Sequence, residues 1–117
     1  MLDLLFFLIL GHYFGDFALQ SDRVALKKRE SKIYLTLHVF IYTSTIVAFL
    51  VFGLFYREDI SPFFSLTTVA IIVFLFIQHW VQDYIKARWF NGSRQGFYLD
   101  QAIHILVLYL IRLYVYN

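Results

Sequence analysis

Four predominantly apolar runs, at positions 2–19, 33–56, 63–85 and 97–116, constrain this chain more than any other feature. A helix of about 20 such residues crosses a hydrocarbon layer roughly 30 Å thick. Polar connections between the runs are short: SDRVALKKRESK at 21–32, REDISP at 57–62 and KARWFNGSRQG at 86–96, with Pro62 and Asn91-Gly92 as helix breakers. Short connections make antiparallel neighbours. The expected fold is therefore an all-α, four-helix up-down-up-down transmembrane bundle, with residues 1–117 forming a single domain.

Composition agrees with this reading. Of the 117 residues, 61% are hydrophobic and only 15% charged, where a soluble domain carries about 25% charge; mean hydropathy is +0.67. The first 17 residues lack the basic region and small-residue cleavage site of a signal peptide, so they are expected to remain as the first span. There is no cysteine, which excludes disulfides and thiolate chemistry and restricts metal ligands to nitrogen and oxygen.

The charges are distributed unevenly among the connections. Arg23, Lys27, Lys28, Arg29 and Lys32 crowd the first, and Lys86, Arg88 and Arg94 the third, whereas the second offers Arg57 against Glu58 and Asp59. By the positive-inside rule the first and third connections are cytoplasmic and both termini face outward, as for a multi-pass protein of a bacterial inner membrane. Attraction to anionic lipid headgroups is the simplest role for these basic residues.

Ionisable groups inside apolar spans are costly, so each needs a partner or a purpose. Here they form a pattern: His12-x3-Asp16-x3-Gln20 late in the first span, His38 early in the second, His79-x3-Asp83 late in the third, and Asp100-Gln101-x2-His104 early in the fourth. Those are all four histidines of the chain. Residues four apart share a helix face, so each His/Asp pair can act as a two-pronged clip. Because successive spans alternate in direction, the seven groups should converge in one layer near the cytoplasmic ends, on the order of 10 Å thick. Arg112, near the other end, is expected to snorkel to the interface.

Four imidazoles and three carboxylates suit zinc above all, or manganese or iron. His12, Asp16, His38, His79, Asp83, Asp100 and His104 are the candidate ligands, and they exceed the needs of one tetrahedral zinc. Either some orient the others, or two ions lie about 3.5–4 Å apart. Gln20, Gln78, Gln82 and Gln101 are candidate donors behind the ligands, and Asp16, Asp83 and Asp100 are candidates for a general base. Without metal the same groups would make a proton relay. Gly11-x3-Gly15 is expected to be a close helix-packing face, and Trp80, Trp89 and the tyrosines an interfacial belt.

Spacing also hints at an internal repeat. His12 and His79, like Asp16 and Asp83, stand 67 positions apart, and His38 and His104 stand 66 apart. Two tandem hairpins in the same orientation would place a pseudo-two-fold axis along the membrane normal and feed one central site. Tyr34 occupies the place in the first copy that Asp100 holds in the second.

The stretch from Leu10 to Gln20, read as H-x-x-G-D-F-x-L-Q from His12, and the later D-Q-x-x-H element from Asp100 to His104 resemble a family of small four-span bacterial and phage membrane proteins of unknown function. The resemblance covers essentially the whole chain. It implies the four-span architecture and the importance of these residues, and it carries no activity.

The leading functional expectation is a metal-dependent hydrolase at the cytoplasmic leaflet, acting on a lipid-linked or otherwise amphiphilic phosphoester. A metal supplies a nucleophilic hydroxide near neutral pH, and Lys27, Lys28, Arg29, Lys86 and Arg88 stand where they can hold an anionic headgroup. A divalent-cation or proton transporter using the same cluster is the alternative, and a structural or regulatory membrane protein the third reading. Membrane lipids are the expected partners; nucleic acid is not.

Overall fold

The structure, a computed structural model, describes residues 2–89 and 93–115. Every regular element among them is helical: α1 (Leu4–Tyr13), continued by a π-helical turn (Phe14–Ala18), α2 (Asp22–Lys27), α3 (Lys32–Tyr56), a 3-10 turn (Ser61–Phe64), α4 (Leu66–Trp89) and α5 (Arg94–Val115). The breaker pair Asn91-Gly92 and the expected end of the last span at Tyr116 lie outside the described residues.

Local chemistry sets the starts. Asp3 Oδ1 accepts from the Leu5 amide ahead of α1, and the Ser21 and Ser31 hydroxyls accept from the Val24 and Tyr34 amides ahead of α2 and α3. Pro62 sits in the first turn of the 3-10 segment, so α4 begins at Leu66 rather than at position 63. At the end of α3 the Arg57, Glu58 and Asp59 amides fold back onto helix carbonyls, and Glu58 takes a left-handed φ of 60° to close the turn.

Three helices, α3, α4 and α5, are long and apolar enough to cross a membrane. The first apolar run differs from expectation. Its helical stretch, Leu4–Ala18, spans roughly 22 Å at 1.5 Å per residue, which is short of the hydrocarbon thickness. It ends where the chain turns into α2, which the sequence reading treats as connection.

Contacts at the two ends define the directions. The Leu2 amide donates to the Tyr56 hydroxyl, and Arg112 forms two hydrogen bonds to Asp3, so the start of α1 meets the ends of α3 and α5. At the other end His12 meets Gln101, His38 meets His79, and Gln82 meets Asp100. Neighbouring helices therefore run antiparallel, and the long axis of the molecule measures 41 Å.

Burial is inverted relative to a water-soluble protein. Phe40, Phe52, Phe74, Leu66 and Leu106 are exposed, while His12, Asp16, His38, His79, Asp83, Asp100 and His104 are all buried. An apolar core of Leu4, Leu8, Ile46, Leu50, Leu54, Leu75, Leu108 and Ile111 fills the bundle beside that polar cluster. The helix-packing expectation for Gly11 and Gly15 is met against α3. A Cβ added at Gly11 would sit 3.0 Å from Phe49 Cβ, and one at Gly15 would sit 3.2 Å from Tyr42 Cα.

Candidate metal centre

Asp16 lies within the π turn, and that turn determines where its carboxylate goes. In an unbroken α-helix it would share the face of His12. A π turn is wider, and such turns recur at functional sites. Asp16 Oδ1 instead reaches across to His38 Nε2 at 3.1 Å and lies 3.7 Å from His79 Nε2. The other two pairs do behave as clips within one helix: His79 Nε2 stands 3.4 Å from Asp83 Oδ2, and His104 Nε2 stands 3.4 Å from Asp100 Oδ1.

Four atoms from four residues converge at the centre. His38 Nε2 lies 3.2 Å from His79 Nε2 and 3.2 Å from Asp83 Oδ2, which completes a set with Asp16 Oδ1. Asp16, His38, His79 and Asp83 form one buried group able to hold a metal ion, and Asp83, Asp100 and His104 form another that shares Asp83. Six of the seven candidate ligands thus fall into the two groups.

His12 stands outside both. Its Nε2 is 2.7 Å from Gln101 Oε1, and its Nδ1 is 2.8 Å from the Tyr42 hydroxyl. The Gln101 amide is oriented by donating from Nε2 to Asp100 Oδ2 and to Asp16 Oδ2, so Oε1 must accept from His12 Nε2–H, and a neutral His12 then accepts from tyrosine at Nδ1. Both ring nitrogens are occupied, which leaves no lone pair for an ion.

The glutamines separate into different roles. Gln101 joins His12, Asp16 and Asp100. Gln82 donates to both the backbone carbonyl and Oδ1 of Asp100. Gln78 reaches the cluster only through its hydrogen bond to Gln82, and the buried Gln20 Oε1 has no hydrogen-bond partner.

Of the basic residues expected to hold an anion, two turn inward. Lys28 Nζ lies 3.5 Å from Asp83 Oδ2 and 3.4 Å from His38 Nε2, and Lys86 Nζ lies 3.0 Å from Asp100 Oδ2. Lys27 and Arg88 lie over the rings of Tyr34 and Tyr84. Lys28, Arg29, Lys32 and Arg88, together with Glu30, line a small cavity of about 70 Å³. A larger groove of about 300 Å³ opens between α4 and α5, apolar along Val81, Ile85, Leu99 and Ile103 and polar where it meets Gln82, Lys86 and Asp100.

Tyr42 is the residue that sequence reasoning missed. It is fully buried and stacks on His79, with ring centroids 3.8 Å apart, rather than joining an interfacial belt. The available signal was its position four residues after His38, the same spacing that marks the His/Asp pairs.

Residues 4–117 match the model of a family described as a protein of unknown function, DUF3307. The chain belongs to the DUF3307 family. No curated protein and no solved structure matches it. The chemistry of this DUF3307 chain rests on its own geometry, which is a buried set of imidazole nitrogens and carboxylate oxygens, with three cluster atoms (His79 Nδ1, Asp83 Oδ1 and His104 Nε2) buried without a hydrogen bond.

Proposed function

We propose that this protein is a metal-dependent hydrolase of a bacterial inner membrane. In this reading all four apolar helices lie in the bilayer, the basic connections face the cytoplasm, and the substrate is a lipid-linked or amphiphilic phosphoester. One observation carries it: Asp16 Oδ1, His38 Nε2, His79 Nε2 and Asp83 Oδ2 stand 3.1–3.7 Å apart in the pairs measured. Ligands at the corners of a tetrahedron around zinc, with bonds of about 2.0–2.2 Å, stand roughly 3.3–3.6 Å apart. Protons alone serve such a set poorly, because two nitrogens face each other and the same two carboxylates. A single cation satisfies all four atoms at once, and zinc is favoured by the donor types.

A metal held by this cluster would lower the pKa of bound water toward 7 and polarise the scissile bond. The protein's own residues supply the rest. Gln101 and Gln82 fix the carboxylates, and Tyr42 and the apolar core keep bulk water from the inner side. Repulsion from a bound ion would turn Lys28 toward the small cavity it already lines with Arg29 and Arg88, where an anionic group would find it. The groove between α4 and α5 offers an acyl or isoprenoid chain an apolar path beside Lys86.

The transporter reading finds less support. A pathway needs polar groups across the full depth, and beyond the cluster the core is mostly leucine, isoleucine and valine. Of the three buried threonines there, Thr45 and Thr68 donate to the carbonyls of Ile41 and Pro62, which leaves the Thr43 hydroxyl as a single unpartnered group and not a continuous path.

The test is elemental analysis of protein purified without chelators, beside a His79→Ala, Asp83→Ala double variant, followed by incubation of metal-loaded protein with phospholipids and isoprenoid phosphates. Stoichiometric transition metal in the wild type alone, with release of phosphate or headgroup, is the expected result. Metal-free wild-type protein would overturn the metal site. Bound metal with flux into liposomes and no turnover would replace the hydrolase by the transporter.

A further inference from the structure

We infer that the cluster holds two ions rather than one, with Asp83 as the bridging carboxylate. The inference rests on the metal reading above and extends it to a second, differently built site. Asp83 divides its two oxygens between two sets of neighbours. Oδ2 faces His38 and His79, at 3.2 and 3.4 Å, whereas Oδ1 faces His104 Nε2 at 3.7 Å.

The side of Asp83 toward His104 is the unsatisfied one. Asp83 Oδ1 and His104 Nε2 are both buried and both lack a hydrogen bond, although both side chains are almost wholly withdrawn from solvent, at 2% and 1% exposure. Buried polar atoms are ordinarily paired, and leaving one unpaired is unfavourable, so the pair points at something between them. Asp100 Oδ1, 3.4 Å from His104 Nε2, already accepts from Gln82 Nε2 at 2.9 Å and keeps a second lone pair, so it adds a third ligand atom to the same space. Its other oxygen is taken by Lys86 and Gln101, which fixes the orientation.

The two sites then differ in kind. The first has four protein ligands and is closed, as structural zinc sites are, while the second has three and keeps a free position, as catalytic zinc sites do. Asp100 also lines the groove between α4 and α5, so the open position lies on the side from which an amphiphile would arrive. The second ion would therefore be the one to bind the reactive water, and the first would anchor the shared carboxylate.

Metal counting with manganese(II) and zinc(II) alone decides this. Wild-type protein in detergent is expected to bind two ions per chain, and its manganese form to show the spin-coupled signal of a pair about 3.5–4 Å apart. Asp100→Asn and His104→Gln should each retain one ion and lose the coupled signal. A wild-type protein that binds one ion, with no coupled signal, overturns the second site and leaves the first standing; one that binds none removes both. The wild-type measurement stands whether or not the variants fold.

Discussion

Tyr42 lies flat against His79, with ring centroids 3.8 Å apart and planes within 15° of parallel, and its hydroxyl stands 2.8 Å from His12 Nδ1. One side chain thus fixes a candidate ligand through its ring and a neighbouring histidine through its oxygen. Tyr42→Phe keeps the stack and strands the His12 nitrogen in a buried site. We expect a loss of about 1–3 kcal/mol of stability with metal stoichiometry unchanged. Tyr42→Ala also releases the ring that holds His79, and should weaken metal binding by about 10–100-fold, the usual effect of losing support behind a ligand. Thermal unfolding and metal titration in detergent separate the two; equal metal affinity in all three proteins would deny Tyr42 any part in placing His79.

Gly15 brings α1 against α3 at the depth of the site. A Cβ there would lie 3.1 Å from Tyr42 Cδ2 and 3.2 Å from Tyr42 Cα. Because a backbone atom is involved, relief requires the helices to part. Gly15→Ala should cost about 1–3 kcal/mol, the range for overpacking, and should weaken metal binding by moving Asp16 away from His38. An unchanged melting temperature would show that the contact yields without strain.

At the opposite end, Asp3 precedes the first helix and pairs with Arg112 through two hydrogen bonds of 3.0 and 2.7 Å. The guanidinium, with help from the Leu5 amide, holds the Asp3 carboxyl at about 2, below its ordinary 3.8. A carboxyl lowered in this way favours the folded state above the ordinary value, and that contribution disappears as the pH falls through about 2. In Arg112→Gln the Asp3 titration should move up toward 3.8 without reaching it, since the Leu5 amide still donates. Carboxyl carbon shifts measured by NMR across pH 1–6 would show this, and an unmoved Asp3 would mean that the pair does not form in the membrane protein.

Much of the architecture is legible in the residue pattern. Apolar length alone anticipates α3, α4 and α5, because burial of such runs leaves a helix few alternatives. Alternating helix direction brings His38, His79, Asp83, Asp100 and His104 to one depth. What escaped has specific causes. The first run reads as a full span, but its helix ends at a π turn, whose residues Phe14 to Ala18 have no distinct signature of composition. The same turn breaks the His12/Asp16 clip that four-residue spacing implies. A tyrosine looks alike in sequence whether it sits at an interface or in the core, so Tyr42 hid among the others. Lys28 is expected to meet an anion because sequence places it in the basic connection beside the site, and position alone does not show that its long stem folds back onto Asp83.

The expected repeat makes Asp16 and His38 the counterparts of Asp83 and His104. Its first copy pairs Asp16 with His38 at 3.1 Å, and its second sets Asp83 opposite His104 at 3.7 Å. The copies diverge at His12, which is held by Tyr42 and Gln101, while its counterpart His79 faces the carboxylates.

The π turn between Phe14 and Ala18 has a consequence for length variation in this chain. Such a turn accommodates one residue more than the α-helix it interrupts, so loss of a single residue there heals the helix instead of breaking it. The shortened chain would still insert and pack, but its Asp16 would swing back beneath His12 and vacate the place opposite His38. Deletion of Phe17, which leaves the spacing of His12, Gly15 and Asp16 intact, should accordingly yield a protein that accumulates normally yet is deaf to metal.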